Sequence, residues 1–324
     1  MSSEPTSNSG ITPESQPSHL ETEVHLPEMI RLMDLIPTVT VEDVRRFIPA
    51  GDVVTTDYNL VGVEDWDELR DRVGTLIGFR RRFPEGSITN FDHHSRRTEF
   101  YRQVSSIHCA LAYVREHGPV TDPIVIHHTD CDSVLSSLVL SGALPPDDRF
   151  GRAVLAADHT GEANDIADLL QAIQDRRDPQ YSYEQLGRLI DGHPLDGAAS
   201  RALDQRRTSR EDLKRVPFQQ FGETGVYYAQ LTGRVDGEFA PALLPAAMVI
   251  VLASPMPDGS GKWEIKVRAG NQFPPGWSLQ ELKLDSFGGR WNAGSSKRHG
   301  GSALGPEAYA QHVAERLTER GQQR

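Results

Sequence analysis

Short apolar segments that each run into aspartate- or histidine-containing turns constrain what this 324-residue chain can fold into. The clearest is Pro123-Ile124-Val125-Ile126, a β-branched run that predicts a buried strand. The polar run His127-His128-Thr129-Asp130-Cys131-Asp132 follows it, and the apolar segment 134–140 after that predicts a helix. A strand, a polar turn and a helix in this order are typical of α/β sheets, in which ligands collect outside the carboxyl ends of the strands.

The same layout recurs at three other places. Apolar segments run into acidic residues at 52–56 before Asp57, at 153–157 before Asp158 and, more weakly, at 87–91 before Asp92. Four acidic residues at strand ends would converge on one crevice. The sequence therefore predicts an α/β fold: a doubly wound, mostly parallel sheet domain followed by a smaller α/β or α+β domain.

Composition and periodicity divide the chain into four segments. Residues 1–26 are rich in Ser, Pro, Glu and Thr and are expected to be disordered. Residues 27–176 are predicted to form the metal-binding α/β domain, with helices over 65–80 and 98–117 among others. Residues 177–216 are charged and are predicted to form a helical connector, and residues 217–324 are predicted to form the smaller, substrate-binding domain.

Histidines and aspartates are concentrated in Asp92-His93-His94 and in the run that starts at His127. Imidazole nitrogen and carboxylate oxygen together suit Mn²⁺, Fe²⁺, Co²⁺ or Zn²⁺. Asp and His also cap helices and fill turns, so a structural site or a coincidence is the alternative. The density of the cluster favours a catalytic centre with more than one ion, although His127 beside His128 leaves the ligand register ambiguous.

Charge and composition exclude several classes of protein. The formal net charge of −12 argues against binding of long duplex nucleic acid, which requires a basic surface. No apolar run reaches the ~18 residues that span a bilayer, and the N-terminus does not resemble a signal peptide. Only Cys109 and Cys131 occur, so a reducing cytoplasm is the expected location. The expected partner is a small phosphorylated molecule or a short oligonucleotide; a homodimer is left open.

Three motifs resemble those of the DHH phosphoesterase superfamily. The segment His128-Thr129-Asp130-Cys131-Asp132 is similar to its His-x-Asp-x-Asp strand end, and Asp92-His93-His94 matches the motif that names it. The segment 288–295, Gly-Gly-Arg-Trp-Asn-Ala-Gly-Ser, resembles a diverged glycine-rich loop of the smaller associated domain, with Trp291 where the family has His. Lys266-Val267-Arg268 resembles the strand of that domain that carries a substrate-facing Arg.

The order of these motifs departs from the family. The His-x-Asp-x-Asp strand ordinarily comes first and the DHH strand third, but here Asp92 precedes His128. One interpretation is a circular permutation, with Asp57 as the single Asp of the second motif and Asp158 as that of the fourth. The alternative is that Asp158-His159-Thr160 is a degenerate DHH motif and one other run is accidental. A permutation is physically tolerable because ligands meet in space and not in sequence, and we favour it because Asp57 and Asp158 both fall at predicted strand ends, where the site needs them.

The resemblance implies two Mn²⁺ ions, with Mg²⁺ or Co²⁺ as alternatives. Asp57 would bridge them, His128 and Asp130 would complete one shell, and Asp132, His93 and Asp158 the other. Two such ions would activate a shared water and hold phosphoryl oxygens. His94 is expected to contact the phosphate or to orient a ligand, and Asp92 to be a ligand or to orient a histidine.

The smaller domain is expected to bind the substrate. The residues proposed for this are Arg268, Gly288, Gly289, Arg290, Trp291 and Asn292. The glycine pair could present backbone N–H groups to an anion or be an ordinary turn, and Trp291 could stack on a base or be a partly buried core residue.

The predicted activity is hydrolysis of a phosphomonoester or phosphodiester of a small nucleotide or short oligonucleotide. The alternatives are a catalytically silent metal- or nucleotide-binding sensor and a hydrolase of the pyrophosphatase or exopolyphosphatase type.

Overall fold

The computed structural model describes residues 25–95, 104–233 and 235–322, without the side chain of Arg298. The first sheet has six strands: β1 (Ile30–Leu32), β2 (Val53–Thr56), β3 (Asp67–Arg70), β4 (Leu76–Phe83), β5 (Gly86–Phe91) and β6 (Ile124–Ile126). Their spatial order is β1-β6-β2-β5-β4-β3. The first four in this order are parallel, whereas β4 and β3 are antiparallel additions at one edge.

Helices cover both faces of this sheet. They are α1 (Val41–Phe47), α2 (Ser106–His117), α3 (Cys131–Leu140), α4 (Asp148–Leu155) and α5 (Asp165–Ile173). Val53 of β2 belongs to the core that contains α1, and its neighbour Val54 belongs to the core that contains α2 and α3. Because alternate strand residues enter two different cores, the sheet is buried on both sides. The predicted doubly wound, mostly parallel sheet is confirmed.

Two helices lead to a second sheet. They are α6 (Pro179–Ile190) and α7 (Gly197–Lys214). Leu186 of α6 packs in the first core, whereas Leu213 near the end of α7 packs in a core of the second sheet. Residues 177–216 are therefore largely helical and contact both parts of the chain; the exact domain boundaries stay a prediction.

The second sheet is mostly antiparallel. Its elements are β7 (Gln219–Gln220), β8 (Val226–Gln230), α8 (Ala240–Leu243), β9 (Val249–Pro255), β10 (Trp263–Ala269), β11 (Gly288–Gly289), β12 (Ala293–Ser295) and α9 (Pro306–Gln322). The strand order is β11-β12-β10-β9-β8-β7, and β8 and β9 are its parallel pair. Val251 packs on the α9 side, and Ile250 packs on the side of Leu213 and Phe239.

Two sequence-based assignments are wrong. The apolar run 153–157 predicts a strand, but these residues complete α4 and enter a π-helical turn, Ala156–Thr160. A short apolar run does not distinguish a buried strand from a buried helix, and Asp147 caps α4 through the backbone N–H of Arg149. The pattern over 65–80 predicts a helix, but the β3–β4 hairpin forms there, because Gly74 with its φ of 87° closes a turn.

Two other expectations concern residues that the structure does not describe. The disorder expected for 1–26 and the start of the helix expected over 98–117 fall mainly on residues 1–24 and 96–103. Within the described chain, no helix combines the length and the apolar character needed to cross a membrane.

Candidate metal centre

Asp57 lies directly after β2, at the carboxyl edge of the parallel strands. Its backbone is left-handed, with a φ of 59°, which turns the chain sharply where the strand ends. The buried carboxylate accepts hydrogen bonds from the Ser133 hydroxyl at 2.6 Å and from the Ser106 hydroxyl at 3.3 Å. Two hydroxyl donors therefore fix the orientation of Asp57 while one lone pair on each oxygen stays available to a cation.

His93 lies among three carboxylates. Its Nε2 is 3.7 Å from Asp57 Oδ1, 3.8 Å from Asp132 Oδ2 and 3.9 Å from Asp158 Oδ2. The other ring nitrogen, Nδ1, is 3.3 Å from the carbonyl oxygen of Val104, to which it donates. His93 is 4% exposed, and its Nε2 has no hydrogen-bond partner among the described residues. A buried nitrogen with a free lone pair that faces three carboxylates is the arrangement a metal ligand requires.

Among the residues that the structure describes, three groups of side chains place their donor atoms within 4.8 Å of one another. They are Asp57 with His93 and His94, His93 with Asp158 and His159, and Asp57 with His128 and Asp130. Asp57 and His93 each belong to two of these groups, so the groups form one continuous site. The strands β6, β2 and β5 are neighbours in the sheet, which is why residues from 57, 93 and 130 meet.

The two adjacent histidines after β6 have different surroundings. His127 Nε2 accepts the backbone N–H of Ile36 at 2.8 Å, and burial lowers the pKa of His127 to about 4. Nε2 of His127 is thus occupied by a hydrogen bond within the fold. His128 instead lies in the group with Asp57 and Asp130, and its Nδ1 has no hydrogen-bond partner among the described side chains and backbone. The structure therefore places His128, and not His127, at the site.

Asp132 and Asp92 face the site but have other bonds as well. Both oxygens of Asp132 accept backbone N–H groups at the start of α2, from Ser106 at 2.8 Å and from Ile107 at 2.7 Å. Asp92 Oδ1 accepts from His94 Nδ1 at 2.6 Å, so it orients that ring. Neither carboxylate belongs to the three donor groups of the described chain.

Asp158 reaches the site from a helix and not from a strand. It lies in the π-helical turn after α4, which ends at Gly161 in the left-handed conformation. π-Helical turns inside helices occur frequently at functional sites. Asp158 therefore lies beside His93 although it belongs to a helical turn and not to the predicted strand end.

Burial and mutual repulsion raise the pKa of three carboxyl groups at this site, those of Asp57, Asp132 and Asp158. Burial, then the neighbouring Asp130, raises the pKa of Asp57 well above its ordinary value. Burial also raises the pKa of Asp132, and it raises that of Asp158 to about 6 although Arg290 opposes the change. Burial lowers the pKa of His93 well below its ordinary value, which keeps the imidazole neutral and able to bind a metal. Bound divalent cations would relieve this repulsion.

Side chains of the second sheet close over the site. Nη1 of Arg290 donates to Nε2 of His94. Asn292 Nδ2 lies 3.4 Å from both the carbonyl oxygen of Asp158 and Nδ1 of His159. The ring of Trp291 lies 5.8 Å from that of His159 at 33°, and Trp291 is buried, as in the core alternative.

The remaining substrate candidates are engaged within the second sheet. Arg268 pairs with Glu238 at 3.6 Å. Gly288 and Gly289 form the edge strand β11 opposite Ser295 and Gly294, and neither has a positive φ. A Cβ on Gly289 would lie 2.3 Å from the carbonyl oxygen of Ala293, so close strand packing accounts for this glycine.

Sequence reasoning missed three groups that shape the site. The Ser106 and Ser133 hydroxyls hold Asp57, and the Val104 carbonyl orients His93. Ser133 directly follows one of the motifs; the other two lie at the start of α2, and no sequence signal marks them.

Comparisons with known proteins do not assign a family. No family model and no curated protein matches the chain. One similar solved structure is described as the pGpG-specific phosphodiesterase PggH from Vibrio cholerae, with 13% sequence identity and a TM-score of 0.38 over 71% of this chain and 78% of that chain. A likeness at this level says nothing about the chemistry of the present site.

Proposed function

We propose that this protein is a metal-dependent phosphoesterase that hydrolyses a phosphomonoester or phosphodiester bond in a small nucleotide or short oligonucleotide. The observation that carries the proposal is the buried Nε2 of His93, which faces three carboxylates and has no hydrogen-bond partner among the described residues. The donor set of imidazoles and carboxylates fits Mn²⁺, with Mg²⁺ or Co²⁺ as alternatives.

The three donor groups fit two ions that share ligands. His128 and Asp130 would hold one ion, His93 and Asp158 would hold the other with His159 as an additional donor, and Asp57 would contact both. When bound, such ions supply an activated water and stabilise negative charge on phosphoryl oxygens. Asp132, whose oxygens both accept backbone N–H groups, would act mainly by fixing the start of α2 beside Asp57.

His94 and Arg290 are suited to bind the phosphoryl group. Because His94 Nδ1 donates to Asp92, its Nε2 accepts, and Arg290 is the donor it faces. Arg290 is therefore a cation at the edge of the site whose fork can bind two phosphate oxygens. Asp92 would position this pair without contacting the substrate.

The DHH-like motifs agree with this proposal. Asp57, His93, His128, Asp130 and Asp158 lie in one continuous site although their motifs occur in an unusual order. We propose that the chain is a permuted relative of that superfamily, because β6, β2 and β5 are adjacent in the sheet whatever their order along the chain.

The test is Mn²⁺-dependent product release from a panel of phosphorylated compounds. The panel contains a chromogenic phosphodiester, a cyclic dinucleotide, the linear dinucleotide pGpG, 3′-phosphoadenosine 5′-phosphate and pyrophosphate. Wild type is compared with Asp130→Ala and with the control Asp191→Asn, which alters an exposed carboxylate at the end of α6.

We expect wild type and the control to turn over at least one nucleotide and Asp130→Ala to lose at least about 100-fold, as is usual when a group that acts on the reaction is removed. Hydrolysis restricted to pyrophosphate would move the assignment to the pyrophosphatase class. Metal binding without any turnover would support the sensor and refute the enzyme.

A further inference from the structure

A second cluster of charges lies outside the metal centre, where α5, α7 and the second sheet meet, and its central pair, Arg206 and Asp168, is buried. Arg206 of α7 is 8% exposed, and each of its nitrogens faces a different carboxylate. Nε is 3.3 Å from Asp168, Nη1 is 2.7 Å from Asp236 and Nη2 is 3.0 Å from Glu238. Asp168 belongs to α5 and is 2% exposed, whereas Asp236 and Glu238 precede α8 in the second part of the chain. Arg206 thus joins the two sheets.

Two further arginines complete the cluster. Arg210 contacts both oxygens of Asp168, at 2.7 and 2.6 Å, and Arg268 contacts the second oxygen of Glu238 at 3.6 Å. Three guanidinium groups therefore balance the three carboxylates. Buried ion pairs are weak contributors to stability, because desolvation offsets their attraction, but they specify one geometry. A planar guanidinium can satisfy three separate carboxylates in a way that an ammonium cannot.

The cluster is connected to the metal centre through Gly161. The carbonyl oxygen of Glu238 and the Cα of Phe239 pack so closely on Gly161 that a Cβ there would lie 2.2 Å from the first and 2.8 Å from the second. Gly161 ends the π-helical turn that carries Asp158. The turn therefore abuts the backbone that Arg206 fixes through the Glu238 side chain.

We propose that Arg206 is a positioning residue that fixes the Asp158 turn and the second sheet against the metal centre. This inference rests on the proposed metal centre. Asp158 is the one carboxylate in the three donor groups of the described chain that does not follow a strand of the first sheet, so the rigid edge of that sheet does not position it. The contact between Gly161 and Glu238 fixes the turn that carries Asp158 instead.

The experiment measures Mn²⁺ binding by isothermal titration calorimetry with Arg206→Met, Arg206→Lys and Glu238→Gln. The matched control is Arg207→Met. Arg207 is the next residue of the same helix and pairs with Asp165 of α5 at 2.9 Å, but it is half exposed, and among the described residues no hydrogen bond or ion pair joins it to the second sheet. Circular dichroism establishes that each variant is folded.

We expect Arg206→Met to weaken the binding of at least one Mn²⁺ by about 10- to 100-fold, the usual loss when a group that supports a metal ligand is removed. Arg206→Lys and Glu238→Gln should show smaller losses, and Arg207→Met should bind as wild type does. A purely structural role would lower the melting temperature of folded Arg206→Met and leave its Mn²⁺ affinity unchanged, which would overturn the inference.

The two milder variants decide the question if Arg206→Met does not fold. Unchanged Mn²⁺ affinity in both Arg206→Lys and Glu238→Gln would then overturn it. Absence of Mn²⁺ binding by wild type would refute the metal centre itself, whereas wild-type binding without hydrolysis would refute only the enzymatic activity.

Discussion

Replacing Asp158 with Asn should stabilise the metal-free protein and weaken the metal-bound one. Asp158 Oδ2 lies 3.9 Å from His93, and burial, followed by the neighbouring Asp130, raises the free energy of the ionised carboxylate although Arg290 opposes the change. Asparagine has nearly the same shape and no charge. The substitution therefore removes the cost of a buried charge in the metal-free centre, but it also removes an anionic ligand.

The size of the effect follows from the pKa. Burial raises the pKa of Asp158 from 3.8 to about 6 in the folded protein, a difference of about 2 pKa units, which corresponds to about 3 kcal/mol. Because the folded pKa is the higher one, the folded state binds the proton more tightly, and stability is lost as pH rises from 3.8 through about 6. Asn does not titrate. The unfolding free energy of metal-free Asp158→Asn should therefore equal that of wild type below about pH 4, exceed it by about half of the full difference near pH 5, and exceed it by about 3 kcal/mol above about pH 6.

Urea unfolding in EDTA measures the expected stabilisation of the metal-free variant. Urea unfolding in Mn²⁺ measures the expected smaller stabilisation of the variant by metal. With EDTA, the midpoint for Asp158→Asn should exceed that of wild type at about pH 7.5, and the two should converge at about pH 4. With Mn²⁺ at about 100 times the wild-type dissociation constant, wild type should gain about 2.7 kcal/mol per ion and the variant less. A variant that is less stable than wild type in EDTA at the higher pH would refute the argument that the buried charge of Asp158 destabilises the metal-free protein.

Four other substitutions test separate parts of the site and its surroundings. His128→Gln should weaken Mn²⁺ binding at least about tenfold, as measured by calorimetry. His127→Gln should keep the Mn²⁺ affinity but lose about 1 kcal/mol of unfolding free energy in urea, because the hydrogen bond to Ile36 is lost. Arg290→Ala should reduce kcat/KM about 10- to 100-fold through loss of a charged hydrogen bond, and a wild-type value would exclude it from substrate binding. Gly161→Ala should lower the unfolding free energy by more than about 1 kcal/mol because of its φ of 69° and its contact with Glu238; an unchanged urea midpoint would contradict this.

Local sequence patterns were sufficient to predict the carboxyl edge of the first sheet and most of the residues there. The runs before Asp57, Asp92 and His127 are short and rich in β-branched residues, and each becomes a parallel strand. Strand direction alone then brings the residues that follow to one edge. For this reason the sequence alone groups Asp57, His93 and Asp130, and the structure brings their side chains into one site.

Local sequence patterns did not predict the elements whose apolar residues lack a distinctive hydrophobic periodicity. The run before Asp158 is too short to separate strand from helix, and its helical state depends on packing of α4 against α2, α3 and α5. The sequence groups Asp158 with the other site candidates as the end of a strand, whereas in the structure it lies beside His93 on a helical turn. In the same way, the β3–β4 hairpin depends on one turn at Gly74.

Long-range packing selects the side chains that complete and support the site. The choice between His127 and His128 depends on the backbone of Ile36, 91 residues away from His127. Arg290 meets His94 across 196 residues, and Arg206 joins Asp168 to Glu238. Such contacts leave no periodicity in the sequence, because they are set by the packing of segments that are distant along the chain and not by the conformation of any one segment.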